Sequence, residues 1–218
     1  MVVLVGSVTA GVLAALAESP NVAVIAAPAP GPTDQTGHIG RPGVPSSPSG
    51  AQNAPAGWEA GALAMREAVR RRATYVVVPA DPLAAVAAAW RGMWDLAAGP
   101  VAVAGFEESA AGTLEAWRAR RFELPDYYLV IAPADDAATG PDLYLGPMRA
   151  ARPHRVAVGA TAGPDDAAGS AGLAGAISLL DTLRSLPHGP WWPPLDELLE
   201  ATRRFYAGGL AEAQHAPV

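Results

Sequence analysis

The chain alternates short, wholly apolar runs with longer stretches in which apolar residues recur at helical spacing. Val2-Val3-Leu4-Val5 is followed by a small-residue turn, Gly6-Ser7-Val8-Thr9-Ala10-Gly11, and an alanine- and leucine-rich stretch up to Ser19. This reads as a buried strand, a tight turn and a helix, the opening unit of an α/β domain. Asn21–Ala27, Thr74–Val78, Pro100–Gly105, Tyr127–Ala132 and Arg155–Val158 are further candidate strands, and Asp142–Leu145 is strand-like. In Asn21–Ala27 the alanines and β-branched residues run without strict alternation, as in parallel strands covered on both faces. Helices are predicted over Trp58–Arg72, Pro82 to about Leu96, Glu107–Arg121, Leu173–Leu186 and Pro194–Tyr206, with fraying from Ala207 onward.

The predicted fold is a single α/β domain, a three-layer α/β/α sandwich with a mostly parallel open sheet, Rossmann-like or flavodoxin-like in the broad sense. One stretch breaks the pattern. Pro28–Gly57 is dense in Pro, Gly and Ser, which favour neither helix nor strand. A loop this long in a compact domain is either a surface excursion or a lid over a site. It carries Asp34, His38, Arg41 and Asn53.

Charge adds a polarity. Acids fall just after predicted strands: Asp34, Asp81, Glu107 with Glu108, Asp135 with Asp136, and Asp165 with Asp166. Arginines fall just before them: Arg70–Arg72, Arg118 with Arg120 and Arg121, and Arg149 with Arg152 and Arg155. With parallel strands the acids gather on the carboxyl edge of the sheet and the arginines on the amino edge. Helix caps and helix dipoles account for much of this. The carboxyl edge is also where open α/β sheets bind ligands.

Two acidic doublets exceed what one cap needs, so Glu108 and Asp136 are candidate ligands for Mg²⁺, an ion that prefers oxygen donors. Asp81, Glu107, Asp135 and His38 are the candidate acid/base groups. Gly6, Ser7 and Thr9 could present amides and hydroxyls to a phosphate at the start of the first helix. This turn is neither the dinucleotide fingerprint nor a P-loop. The expectation is an enzyme acting on a small polar or phosphorylated metabolite.

Composition narrows the partners. Of 218 residues, half are hydrophobic and 17% are charged, so the chain can bury a core. There is no cysteine, which excludes disulfides and thiolate chemistry and suits a cytoplasmic protein. A net charge of −6 argues against a nucleic-acid groove. No stretch is long and apolar enough for a membrane span. Met1–Ala17 lacks the leading cations of a signal peptide. His38, His154, His188 and His215 show no metal-ligand spacing.

The turn Gly6-Ser7-Val8-Thr9-Ala10-Gly11 resembles the opening block of the SGNH (GDSL-type) hydrolases, G-D-S-x-T-x-G, without its aspartate. Ser185-Leu186-Pro187-His188 stands where that family has D-x-x-H, with Ser for Asp. The resemblance covers only these two short motifs, and Asn53 is a poor match for the family's oxyanion asparagine. It implies a serine ester hydrolase with Ser7 as nucleophile and His188 as base, with Asp181 available to orient it. A third expectation is a non-catalytic partner-binding or assembly protein, such as a homo-oligomer, using the proline-rich loop and the exposed part of Trp191-Trp192. Those two tryptophans sit among Pro190, Pro193 and Pro194, where they can serve packing or contact equally.

Overall fold

A computed structural model describes residues 1–6, 8–25, 62–63, 66–67, 70, 73–95, 99–132, 142–160 and 170–215. Among these residues five strands form one parallel sheet: β1 (Val2–Gly6), β2 (Val22–Val24), β3 (Tyr75–Val78), β4 (Tyr127–Ala132) and β5 (Val156–Ala160). Their order across the sheet is β2-β3-β1-β4-β5. The central β1 is the apolar run with which the chain begins, and Val2 to Val5 are all buried. Val3 lies opposite Val78 on one side and Tyr128 on the other, and Gly6 lies opposite Ile131.

Helices cover both faces. On one face α1 (Ala10–Ala17) and α5 (Ser170–Arg184) bury Val12, Leu16, Leu179 and Leu183 against Leu4, Val77, Leu129 and Ile131. On the other, α2 (Ala84–Met93), α3 (Gly99–Arg118) and α6 (Leu195–His215) pack over Val3, Val78, Tyr128 and Val130. The fold is therefore a three-layer α/β/α sandwich, as the pattern of apolar runs predicts. Trp90 of α2, fully buried, centres the second layer. It meets Trp94, Phe106 and Tyr206 edge to face at ring separations of 5.7, 5.9 and 5.9 Å. Such pairs each add about 0.5–1.5 kcal/mol to the burial itself. They lock α2, α3 and α6 together.

Three expectations need correction. Pro100–Gly105 is not a strand but the first turns of α3. Pro100 suits the first turn of a helix, where its missing amide is no loss. Val101 and Val103, whose alternation suggests a strand, point to solvent, while Phe106, Ala110, Thr113 and Ala116 form the buried stripe. Glu107 and Glu108 therefore sit within a helix, not on the carboxyl edge of the sheet. Asp142–Leu145 is likewise not a strand. Asp142 Oδ1 accepts from the amides of Tyr144 and Leu145 at 2.8 and 2.9 Å. That caps a wide helical turn, Tyr144–Met148, kinked at Gly146 and continuing into α4 (Arg149–Ala151). Finally, α6 extends past Tyr206 to His215.

The helix expected over 58–72 is described at Ala62, Leu63, Arg66, Glu67 and Arg70, all helical, with Ala62 buried in the core. The loop Pro28–Gly57, with His38, lies outside the described residues, as do Ser7, Asp135, Asp136, Asp165 and Asp166.

Candidate functional site

The carboxyl edge of the sheet is built around the end of β1. Gly6 takes φ +95°, a conformation open to glycine and costly for other residues. A Cβ there would stand 2.3 Å from the carbonyl oxygen of Ile131. The two strand ends are thus pressed together backbone to backbone. The chain then turns, Val8 donating its amide to the Gly6 carbonyl at 2.9 Å, and Thr9 caps α1 by accepting from the Val12 amide at 3.3 Å. Thr9 is therefore engaged as a cap, with its residue exposed.

Crossovers diverge at this point. The chain leaves β1 over the face carrying α1 and returns as β2 on one side of the sheet. After β4 the chain is next described on the other face, where Leu143, Tyr144 and Met148 are buried, and it returns as β5 on the other side. The adjacent β1 and β4 thus mark a topological switch point, the usual place for a ligand in an open parallel sheet.

Asp81 follows β3 on the same edge, but it faces inward. Its Oδ1 accepts from the Leu83 amide at 2.9 Å and its Oδ2 accepts from the Tyr144 hydroxyl. Burial pushes its pKa up from 3.8 to about 6, against the opposing pull of the bonds from Tyr144 and Leu83 and the nearby Tyr128 hydroxyl. Among the described residues the buried Tyr128 hydroxyl completes no hydrogen bond of standard geometry, although it is close enough to Asp81 to favour the charged carboxylate. Burial and the Asp81 charge hold both tyrosines well above the ordinary tyrosine pKa. With both oxygens engaged, Asp81 serves as a buried latch between β3 and the turn after β4.

The remaining candidates do not converge with it. Glu107 makes a two-pronged pair with Arg203 of α6, at 2.8 and 2.7 Å, which lowers its pKa. Glu108 is exposed on the same helix. Among the described residues no three His, Asp or Glu side chains gather as a metal site. His188 is exposed at the amino edge, next to Pro187, whose carbonyl accepts from the Tyr127 hydroxyl at 3.1 Å. Gly6 and Val8, on either side of Ser7, are at the carboxyl edge. Gly6 and His188 are thus on opposite rims, and Asp181 pairs with Arg184 at 3.2 Å.

The amino edge holds what the sequence pattern missed. Arg155, one of the arginines just before a predicted strand, is buried. Its guanidinium donates to the carbonyls of Pro190, Asp126 and Gly189 at 2.9, 3.2 and 2.7 Å. It also lies 5.1 Å from the Tyr127 ring centre and 4.9 Å from that of Trp191. Its proximity to a strand start was the only available signal. Trp192 is core, donating Nε1 to the Pro125 carbonyl at 2.7 Å, while Trp191 is half exposed.

No family model matches the chain, and neither a curated protein nor a solved structure matches it. No helix among the described residues is long and apolar enough to cross a membrane.

Proposed function

We propose that the protein is an enzyme of a small polar or phosphorylated metabolite, bound at the carboxyl edge of the sheet across the ends of β1 and β4. The observation behind this reading is the switch point: an all-parallel sheet whose connections part at β1 and β4. The turn after β1 supplies amides at the start of α1, the natural seat of an anion. Asp135 and Asp136 follow β4 within four residues and would supply acid/base or Mg²⁺-binding carboxylates. Asp81 would act through the fold, by fixing the β3 end of the rim.

The test is a thermal-shift and calorimetric panel of inorganic phosphate, nucleotides and sugar phosphates, with and without Mg²⁺. A ligand at a hundred times its Kd should stabilise the fold by about 2.7 kcal/mol. Asp135→Asn with Asp136→Asn should remove the Mg²⁺-dependent part, and a bound compound should be consumed on incubation. A flat response across the panel would overturn the reading.

A further inference from the structure

The amino edge of the sheet carries a groove of about 590 Å³, within the range of small-molecule sites. Trp117 at the end of α3 forms one side, and Trp191 with Pro193 and Pro194 ahead of α6 forms another. The buried side chains of Phe122 and Leu124 complete the apolar lining.

Trp191 is the telling residue. It is 51% exposed, yet its position is fixed from several directions. The Arg155 guanidinium lies 4.9 Å from its ring centre, and Arg152 Nε donates to its carbonyl at 2.9 Å. Its neighbour Trp192 is anchored to Pro125, and prolines stand at 190 and 193. A flat ring held in place while exposed loses little freedom when another ring stacks on it.

Charge selects the ligand further. Arg118 and Arg120 line the groove together with Glu123, two cations against one anion. Arg118 shares Asp196 at 3.5 Å. Arg120 is exposed and has no ion-pair partner among the described residues. A guanidinium beside an aromatic wall suits a ligand that is both planar and anionic.

We propose that this groove binds a small aromatic carboxylate, its ring against Trp191 and its carboxylate toward Arg120. The site stands on the opposite rim from the β1–β4 switch point and does not depend on what binds there.

The probe is naphthalene-2-carboxylate, with neutral 2-naphthylmethanol as its control, titrated into the full chain by calorimetry and tryptophan fluorescence. The carboxylate should saturate one site with a Kd of about millimolar or below. Trp191→Ala should weaken both compounds by about tenfold. Arg120→Ala should weaken the carboxylate by about fivefold and leave the alcohol unchanged. Both positions are exposed, and circular dichroism checks that the variants remain folded. Failure of the carboxylate to saturate, or equal binding by the wild type and both folded variants, would overturn the proposal.

Discussion

The Tyr144 hydroxyl donates to Asp81 Oδ2, joining two positions 63 residues apart and tying the turn after β4 to the end of β3. Because burial raises the Asp81 pKa to about 6, the folded chain holds this proton more tightly than the unfolded chain, where the carboxyl titrates near 3.8. The contribution to stability is full below the unfolded value and is lost as pH rises through the folded one. The difference between 3.8 and about 6 corresponds to about 3 kcal/mol. Urea titrations between about pH 4 and pH 7 should show this decline in the wild type, and Asp81→Asn should remove it. Parallel pH profiles for the two proteins would mean that Asp81 does not carry the effect.

Removing only the donor gives a second measurement. Tyr144→Phe leaves the ring against Tyr128, 5.0 Å away between centres, but takes the hydroxyl from a buried acid. At about pH 7.5, where Asp81 is mostly ionised, the cost should be about 1.5–3 kcal/mol, as for bonds to charged groups. Near pH 5 the acid is mostly neutral and the cost should be smaller. Tyr127→Phe, which loses an exposed bond to Pro187, should cost less than about 1 kcal/mol at either pH. Equal losses for Tyr144→Phe at both pH values would contradict the charged-acceptor account.

What the sequence made legible follows from range. β1 could be read because its residues are buried on both faces by a short, local run. The start of α2 could be read because Asp81 bonds the amide of Leu83, two residues on. The partner of its other oxygen could not, since Tyr144 arrives through tertiary packing. Pro100–Gly105 misled because Val and Ala alternate there. Phe106 and its edge-to-face contact with Trp90 decide instead for a helix against α2. Trp191 and Trp192 are adjacent and chemically identical, and only the distant Pro125 carbonyl draws one of them inside. Arg155 is buried because carbonyls from positions 126, 189 and 190 converge on it, which no local pattern encodes.

Glu107 supplies a contrast with Asp81. It pairs with Arg203 at the surface, both side chains being more than a third exposed. Water screens such pairs, so Glu107→Gln should cost about 0–1 kcal/mol, and less in high salt. Its lowered pKa has the opposite sign to that of Asp81: the contribution is present above the ordinary glutamate value and fades as pH falls through the folded one. The variant should keep any ligand binding at the carboxyl edge. Loss of ligand binding with unchanged urea stability would return Glu107 to the site.

The close approach of β1 to β4 can be tested at one atom. In Gly6→Ala the new methyl would meet the Ile131 carbonyl oxygen at 2.3 Å, and the residue would keep a φ of +95°. The contact is with the Ile131 backbone, not a flexible side chain that can swing away, so the strands must separate or the turn must change. Roughly 2–4 kcal/mol of stability should be lost. Gly112→Ala, within α3 and with open space at the Cβ position, should instead gain about 0.5–1 kcal/mol through helix propensity. Opposite signs from the same chemical change, read by urea titration, would locate the effect in the strand contact. A neutral Gly6→Ala would mean that β1 and β4 are free to part at their carboxyl ends, and the rim of the proposed site would not be fixed by the sheet.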